Sequence, residues 1–461
     1  MKPSKPGSKR PRTPHQSAQK THSPHPGSYQ PQPKPAPQQQ LVEIIKPIYG
    51  GAFLARGEGK AIFVPLTLPG EQARVTITQD KRGYATADPD EILNPAPDRV
   101  TPACPHFGPC GGCHYQHATY QAQLVFKQAI LRETLERAGV SPPSEISVLS
   151  ADPWHYRNRI RLSFDAAGNP GYRGRRSHDI VPITECPISA PLLIDSAKAF
   201  AELASQSTPP LAPTELSLFC NPDETALLAT ITVPNIQFTK AEFEAFAQSF
   251  AERIPALKGA ELALETGAKQ PARTLFQWGA TSLNYPAAAH DYRVDHGAFF
   301  QVNRFLVDAL AHRVTNGHSG QLAWDLFAGV GLFARQLANS FAQVIAVESA
   351  PSATQALAAN LKGTTATAIR ATTLDFLRHS REPKPDLVVL DPPRTGLGPD
   401  ITTLLAAVAA PSLTYVSCDP ATLARDLCPL LATGYAIESL TFADLFPQTF
   451  HLETIVQLRR S

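Results

Sequence analysis

Four stretches of this sequence carry side chains whose types and spacing could do chemistry. "LTYVSCDPATLARDL" sets Cys418 between the end of an apolar run and an Asp-Pro turn, and "DLVVLDPPRTG" runs an apolar strand into Asp391. The two prolines that follow Asp391 fix φ and end the strand, which leaves the carboxylate at the edge of a sheet. "HLETIVQL" offers Glu453 at the head of the last apolar segment. A thiol at the mouth of a cleft is a candidate nucleophile, and a nearby carboxylate is its acid-base partner. The pair suits one demanding reaction. C5 of uracil is too weakly nucleophilic to take a methyl group unaided, but a thiolate adding at C6 turns the ring into an enolate with its electron density on C5. A base must then remove the C5 proton so that the thiol can leave. The fourth stretch, "CPHFGPCGGC", gathers Cys104, Cys110 and Cys113, with Cys186 of "TECPIS" as the expected fourth member. Four thiolates suit zinc or an iron–sulfur cluster, and spacing alone does not choose between them. Free cysteine is also a small hydrophobe, and Cys428, ten residues beyond Cys418, keeps that packed reading.

Positioning the first three groups falls to a C-terminal region of βα alternation, from about residue 291 onward. Short apolar strands, each followed by a helical segment, predict an α/β domain with a doubly wound, Rossmann-like parallel sheet whose ligand site lies at the carboxyl ends of the strands. "WDLFAGVGLFA" ends a strand at Asp325 and supplies Gly329 and Gly331 before a helix, and Glu348 ends the next strand seventeen residues after Gly331. An acid there can accept hydrogen bonds from ribose hydroxyls. With no Gly-x-Gly-x-x-Gly signature, this nucleoside half-site favours S-adenosylmethionine over a dinucleotide. Arg394 follows Asp-Pro-Pro, where methyltransferases that act on exocyclic amines usually have an aromatic residue, so base-amine methylation is disfavoured.

Upstream, residues 41–98 alternate short β-rich runs with Gly and Pro and predict a small five-strand barrel of the OB type, a shape often used for oligonucleotides. Apolar residues return at helical spacing from Tyr120 to Ala138, and Gly139 and Pro142 stop the run. "WHYRNRIRLSF" then puts Arg157, Arg159 and Arg161 on one face of a strand, since side chains alternate with period two. A Gly-Asn-Pro-Gly turn at 168–171 leads to three more arginines, so six fall within twenty residues. An arginine-lined strand face is expected to be a nucleic-acid contact surface. Residues 200–290 read as a mixed α+β region with no visible chemistry.

The net charge of +2 hides an asymmetry: residues 1–40 hold seven Lys or Arg, ten Pro and no acid, leaving 35 bases against 40 acids. Such a tail cannot bury enough apolar surface to offset its chain entropy and is expected to be disordered. No apolar run reaches the length of a membrane span, and the N-terminus lacks the apolar core of a signal peptide, so a cytoplasmic address is expected. Seven unevenly spaced cysteines suit metal ligation or catalysis in a reducing compartment better than a disulfide framework. The domain plan is therefore a tail at 1–40, a barrel at 41–98, a central α+β domain at 99–290 and a catalytic α/β domain at 291–461.

Together these residues resemble the RNA uracil-C5 methyltransferases, specifically the 23S ribosomal-RNA 5-methyluridine enzymes that carry an N-terminal TRAM domain and an iron–sulfur cluster. The similarity spans about residues 41–461 and is most specific at "CPHFGPCGGCHYQHATYQAQL", "FFQVN", "DLFAGVGLF", "LDPPRTGL", "YVSCDPAT" and "HLETIVQL". The resemblance implies that Cys104, Cys110, Cys113 and Cys186 ligate a [4Fe-4S] cluster and that Gln301, Phe327, Glu348 and Asp391 contact S-adenosylmethionine. It makes Cys418 the nucleophile and Glu453 the proton-abstracting base. It also implies that a helix around 116–147 packs on the catalytic domain. The residue that meets the adenine has no clean match in "RATTLDFL", which leaves Thr373 and Asp375 as candidates. A target base in folded RNA must be extruded to reach a buried thiol, which calls for an RNA grip outside the pocket. The barrel and the arginine hairpin are the natural providers, with a single-stranded or remodelled segment of 23S ribosomal RNA as the expected partner and a monomer as the expected state. The same chemistry on transfer RNA, a non-catalytic RNA-binding protein and a zinc-dependent RNA enzyme are the competing readings.

Overall fold

The first five strands, β1 (Gln39–Pro47), β2 (Ala52–Arg56), β3 (Ala61–Pro65), β4 (Gln72–Asp80) and β5 (Tyr84–Asn94), close into a barrel in the order β1-β2-β3-β5-β4. The computed structural model describes residues 38–57, 59–207, 211–236, 238–267 and 272–460; of the basic tail expected to be disordered at 1–40, residues 1–37 lie outside them, while Gln39 and Gln40 belong to β1. Alternation builds the barrel: Val42, Ile44, Phe53, Ala55, Ile62, Val64, Ala73 and Val75 point inward and are buried, while their neighbours face out. The β1–β2 turn carries Tyr49 and closes through Gly50 and Gly51, whose φ of 101° and 85° suit residues without Cβ.

Helix α1 (Tyr120–Arg137) is shorter than the expected 116–147. The Thr119 hydroxyl caps it by accepting from the Ala122 amide, and Gly139 at φ 81° terminates it. Residues beyond the helix run on to β6 (Ser147–Leu149). α1 has two apolar faces. Ala122 and Phe126 complete the barrel core, whereas Leu124, Ile130, Leu131 and Leu135 share a second core with Leu326, Val347 and Leu390.

The central region forms a seven-stranded sheet ordered β13-β12-β11-β10-β7-β8-β9. Its strands are β7 (Arg159–Phe164), β8 (Pro170–Arg173), β9 (Ile180–Pro182), β10 (Glu215–Cys220), β11 (Leu227–Val233), β12 (Leu257–Leu264) and β13 (Arg273–Gly279), with helices α2 (Pro191–Gln206) and α3 (Lys240–Arg253) packed on it. The arginine face expected here to meet nucleic acid is corrected for Arg157 and Arg159, whereas Arg161, Arg173 and Arg176 are exposed. Arg157 precedes β7 and bridges Ser189 and Asn303, and the Arg159 guanidinium lies 4.2 Å over the Phe219 ring and donates to the Ala298 carbonyl at 2.6 Å. Of the three, Arg161 alone faces solvent, paired with Glu215 at 3.2 Å. Residues 298–303 lie against Arg157 and Arg159 but not Arg161.

The last region opens with the hairpin β14 (Ser282–Ala287) and β15 (His290–Asp295), which joins the core around Leu310 and Phe333. The boundary expected at 291 therefore falls inside a hairpin. Then follow α4 (Val307–Thr315), β16 (Gly320–Leu326), α5 (Leu332–Leu337), β17 (Phe341–Glu348), α6 (Pro351–Asn360), β18 (Ala366–Arg370), α7 (Thr373–His379), β19 (Leu387–Leu390), α8 (Gly398–Val408), β20 (Ser412–Ser417), α9 (Pro420–Ala432), β21 (Tyr435–Ala443) and β22 (Glu453–Arg460). The sheet is ordered β18-β17-β16-β19-β20-β22-β21-β6. Neighbours from β18 to β20 are parallel, β22 runs antiparallel to both β20 and β21, and β6 adds the outer edge in parallel with β21.

One buried ion pair ties the early helix to the late loop. Lys127 Nζ on α1 donates to Asp444 Oδ1 at 2.7 Å and to the Phe446 carbonyl at 2.9 Å, and both charged side chains are fully buried. Removing one partner of such a pair leaves an uncompensated buried charge. Lys127→Met is expected to cost about 3–5 kcal/mol in a denaturant melt. The double variant Lys127→Met/Asp444→Asn should recover much of that loss; equal losses for both variants would show that charge is not what matters at this contact.

Candidate active site

At the carboxyl edge of the large sheet lies a cavity of about 740 Å³ whose lining includes Gln301, Phe327, Glu348, Asp391, Cys418 and Glu453. The six residues expected from sequence for cofactor and catalysis are thus brought to one place, from segments spread over 153 positions between 301 and 453. The same wall carries Phe299, Arg394 and His451.

Each element delivers its side chain for a local reason. β16 ends at Leu326, and Phe327 turns away with φ 71°, an uncommon conformation for a residue with a side chain. The Gly329 amide then donates to Glu348 Oε2 at 2.9 Å, and the Ser349 and Ala350 amides donate to Oε1 at 2.7 Å each. The carboxylate that ends β17 is thereby fixed at the cavity rim. Gly331, at φ 93°, starts α5 where an added Cβ would lie 2.7 Å from Leu357 Cδ1. Asp391 follows the fully buried strand β19, and Gln301 Nε2 approaches its Oδ2 at 3.4 Å.

Cys418 is the single residue between the end of β20 and Asp419, which caps α9 by accepting from the Ala421 and Thr422 amides at 3.0 and 2.9 Å. Pro420 at the first helical position suits that cap. Glu453 opens β22, whose antiparallel register pairs Ser417 with Thr454 and so brings Glu453 beside Cys418. The loop leading into β22 is held from α1 and the cysteine-rich segment. The Gln448 carbonyl accepts from the His114 and Tyr115 amides at 2.8 and 3.0 Å, and the Gln123 side chain bonds the Gln448 amide and side chain at 3.0 and 2.9 Å.

The cavity concentrates carboxyl groups. Burial raises Glu453 well above the ordinary carboxylate range, and the neighbouring Asp391 adds to the shift. Burial likewise brings Asp391 up to about 7. Beneath them Asp325 is pushed up to about 8, chiefly by burial; its Oδ2 accepts from the Ala334 amide at 2.8 Å while Oδ1 finds no hydrogen-bond partner among the described residues. The Cys418 thiol rises to about 12 through burial and then through Glu453 and Asp391, with Arg394 opposing. His451 is brought down to about 3 by burial and then by Arg394, whose Nη2 approaches its ring nitrogens at 3.4 Å, so its imidazole is neutral. His451 was missed in the sequence reading although it stands two residues before Glu453 in a quoted stretch; its place depends on packing against Phe450 and Phe446.

Thr373 and Asp375 do not reach this cavity. Both belong to the start of α7, where Thr372 and Asp375 bond each other at 2.7 Å, and Asp375 lines a separate surface depression with Ile369 and His379. Beside Glu348 the cavity is instead bounded by Ser349, Ala350, Ser352 and Ala353.

The four expected ligand cysteines line a second cavity of about 80 Å³, together with Arg157, Tyr172 and Gln116. Burial pushes Cys113 up to about 12 and also raises Cys104 and Cys110, with the Cys186 sulfur contributing to all three. Among the described residues, no three His, Cys, Asp or Glu side chains converge closely enough to hold a single metal ion. Cys428 corrects the packed reading: it is exposed on α9, and its Sγ bonds the Ala138 carbonyl at 3.3 Å and the Ala424 carbonyl at 3.2 Å. Among the described residues no helix is long and apolar enough to cross a membrane.

Comparison with known proteins adds three findings. Residues 381–461 match the family model described as tRNA (Uracil-5-)-methyltransferase, and residues 38–89 match the TRAM domain. The chain is 32% identical over 445 residues to the 23S rRNA (uracil(1939)-C(5))-methyltransferase RlmD of Shewanella amazonensis, covering 92% of this chain and 96% of that one. It is also 32% identical over 446 residues to an uncharacterized RNA methyltransferase of Nitratidesulfovibrio vulgaris, covering 90% and 94%. Among solved structures, the Pyrococcus abyssi tRNA (uracil-54, C5)-methyltransferase in complex with S-adenosyl-L-homocysteine has the same fold, with a TM-score of 0.72 at 22% identity over 90% of this chain and 100% of that one.

The raised Asp325 carboxyl makes the stability of the unliganded protein depend on pH with a definite sign. Its folded value of about 8 exceeds the unfolded value, so its contribution is fully present in acid and is lost as pH rises toward 8. Asp325→Asn keeps the neutral form, and its thermal midpoint should gain on the parent at pH 8.5 relative to the difference seen at pH 5. An equal difference at the two pH values would mean that Asp325 is already ionised.

Proposed function

The chain belongs to the RNA uracil-C5 methyltransferases, and from that membership we propose that it methylates C5 of a uridine in 23S ribosomal RNA, with S-adenosylmethionine as the methyl donor. The observation that carries this reading is the meeting of a thiol and a buried carboxyl across β20 and β22, in a cavity whose other end presents Glu348 and the Gly329 turn. Relatives of like length and identity act on 23S rRNA by name, and the TRAM barrel supplies a grip for RNA.

In this reading Gln301, Phe327, Glu348 and Asp391 hold the cofactor, whose sulfonium methyl is the group transferred. The extruded uracil enters beside Phe299 and Cys418. The Cys418 sulfur forms a bond to C6 after losing its proton, and the ring electrons move to C5. C5 then takes the methyl group. Glu453 accepts the C5 proton, the C5–C6 double bond re-forms, and the sulfur leaves with the bonding pair. Burial raises the basicity of Glu453, which suits a group that must take a proton from carbon. The same burial disfavours both anions in the empty cavity, so the Cys418 proton has to pass to solvent and Glu453 has to be ionised as substrate enters.

Cys104, Cys110, Cys113 and Cys186 surround a shared cavity, and four thiolates are a donor set for an iron–sulfur cluster. A [4Fe-4S] cluster there would cross-link two distant segments of the chain; the proposed methyl transfer needs no electron from it. Protein purified without oxygen should be brown and contain iron. A colourless, zinc-loaded and active protein would overturn the cluster.

The reaction is tested with unmodified 23S rRNA and transfer RNA as paired substrates. Transfer of methyl to 23S rRNA is expected, and transfer only to transfer RNA would move the substrate assignment. Cys418→Ala should lower the rate by at least about 10³-fold. Glu453→Gln should accumulate a protein–RNA adduct that survives denaturing gels, since the C5 proton then has no acceptor. Normal turnover by Cys418→Ala would exclude the covalent route.

A further inference from the structure

We propose that Tyr49, in the N-terminal barrel, is a positioning residue for the nucleophile, so that the barrel forms part of the catalytic centre as well as a grip for RNA. The inference rests on the methyl-transfer reading above and adds a residue to it. Tyr49 precedes the Gly50-Gly51 turn between β1 and β2, and its hydroxyl donates to Asp419 Oδ2 at 3.1 Å. Asp419 is bonded directly to Cys418 in the chain, and its two oxygens have different partners. Oδ1 accepts from the Ala421 and Thr422 amides that begin α9, and Oδ2 accepts from Tyr49. The Ser417 hydroxyl also donates to the Asp419 carbonyl at 3.2 Å. Cys418 therefore lies in a two-sided brace, with β20 on one side and a doubly bonded aspartate on the other.

The ring of Tyr49 reaches the other half of the reactive pair. It meets Phe450 edge-on with centroids 5.4 Å apart, and Phe450 meets His451 at 4.3 Å. Phe450 lies three residues before Glu453. One barrel side chain thus contacts both the segment after the nucleophile and the segment before the proposed base. The turn carrying it has little freedom, because Gly51, at φ 85°, is wedged so close to His114 that an added Cβ would lie 2.7 Å from His114 Cδ2. His114 in turn packs on Phe450 with centroids at 4.7 Å.

Losing the phenol hydroxyl leaves Asp419 Oδ2 without its donor while keeping the ring contact with Phe450. The Cys418 turn then loses its tie to the barrel and keeps only bonds to β20 and α9, and the thiol samples orientations from which C6 of the ring is out of line. Misplacement of a reacting group on the ångström scale is sufficient to slow attack severely.

The test uses the full-length protein and in-vitro-transcribed 23S rRNA carrying 5-fluorouridine, in which C5 has no proton to lose and the Cys418 adduct is trapped. Tyr49→Phe should form the adduct about tenfold more slowly in single turnover, as expected for a lost hydrogen bond to a charged group. Its affinity for the RNA in filter binding should stay within about twofold of the parent, and its thermal midpoint should show that it is folded. Gly51→Ala, which displaces the turn without touching the phenol, should slow adduct formation in the same direction. Adduct formation by Tyr49→Phe at the parent rate would overturn the proposal, as would a loss of RNA affinity large enough to account for the whole effect. Failure of the parent protein itself to form an adduct would instead remove the methyl-transfer reading on which the proposal stands.

Discussion

The meeting of Cys418 and Glu453 depends on the direction of one strand. In a parallel sheet every strand presents its last residues at the same edge, so a side chain at the start of a strand lies at the far end. β22 is reversed between β20 and β21, and so the first residue of the final strand arrives where β20 finishes. The pairing of Ser417 with Thr454 fixes which residue that is. A slip of one position would turn every side chain of β22 to the opposite face, expelling Ile455, Val456 and Leu458 from the environments they occupy. The register is therefore enforced by core burial along the strand, and the placement of Glu453 follows from it without further cost.

The chemistry of the cavity runs against its stability. Asp325, Asp391 and Glu453 are buried near one another and near a thiol, and the Arg394 guanidinium opposes the shifts of Glu453 and Cys418. Structural carboxylates are usually stabilised as anions by donors or cations, whereas these are destabilised as anions by burial. Shifts of that kind gather at functional sites. The left-handed conformation of Phe327 at the same edge is a second local strain, and the rigid parallel strands on either side are what sustain both.

Much of this was legible because the relevant signals are local. A strand that runs into Asp-Pro-Pro, a strand that runs into Cys-Asp-Pro and an acid at the end of "QVIAVE" each announce a side chain at a sheet edge, and all reached the same cavity. The barrel followed from alternation and turn residues in the same way. What could not be read is settled by distant partners. Arg157 and Arg159 share a face in any strand, but only the fold reveals that residues 298–303 lie across it. Tyr49 acquires its place from a ring and a carboxylate far along the chain, and a single helix serving two cores at once defeats the expectation that one apolar face means one neighbour.

The early position of α1 and β6 in the chain has a consequence for how the molecule comes to exist. These elements leave the ribosome soon after the barrel, yet their apolar partners lie in strands from β16 onward, and the carboxylate that receives Lys127 lies in the loop between the last two strands made. The catalytic sheet is completed at its edge by a segment that has waited through the synthesis of the whole central region. Contacts of such long sequence separation form late and slowly. A fragment beginning at β14 would lack both the edge strand and the only lysine that answers Asp444 in the described structure, and would expose the apolar surface that α1 covers. The C-terminal region is accordingly not a transferable cassette: cut free of α1 and β6, it would lose an edge strand, a buried cation and the cover of its apolar face.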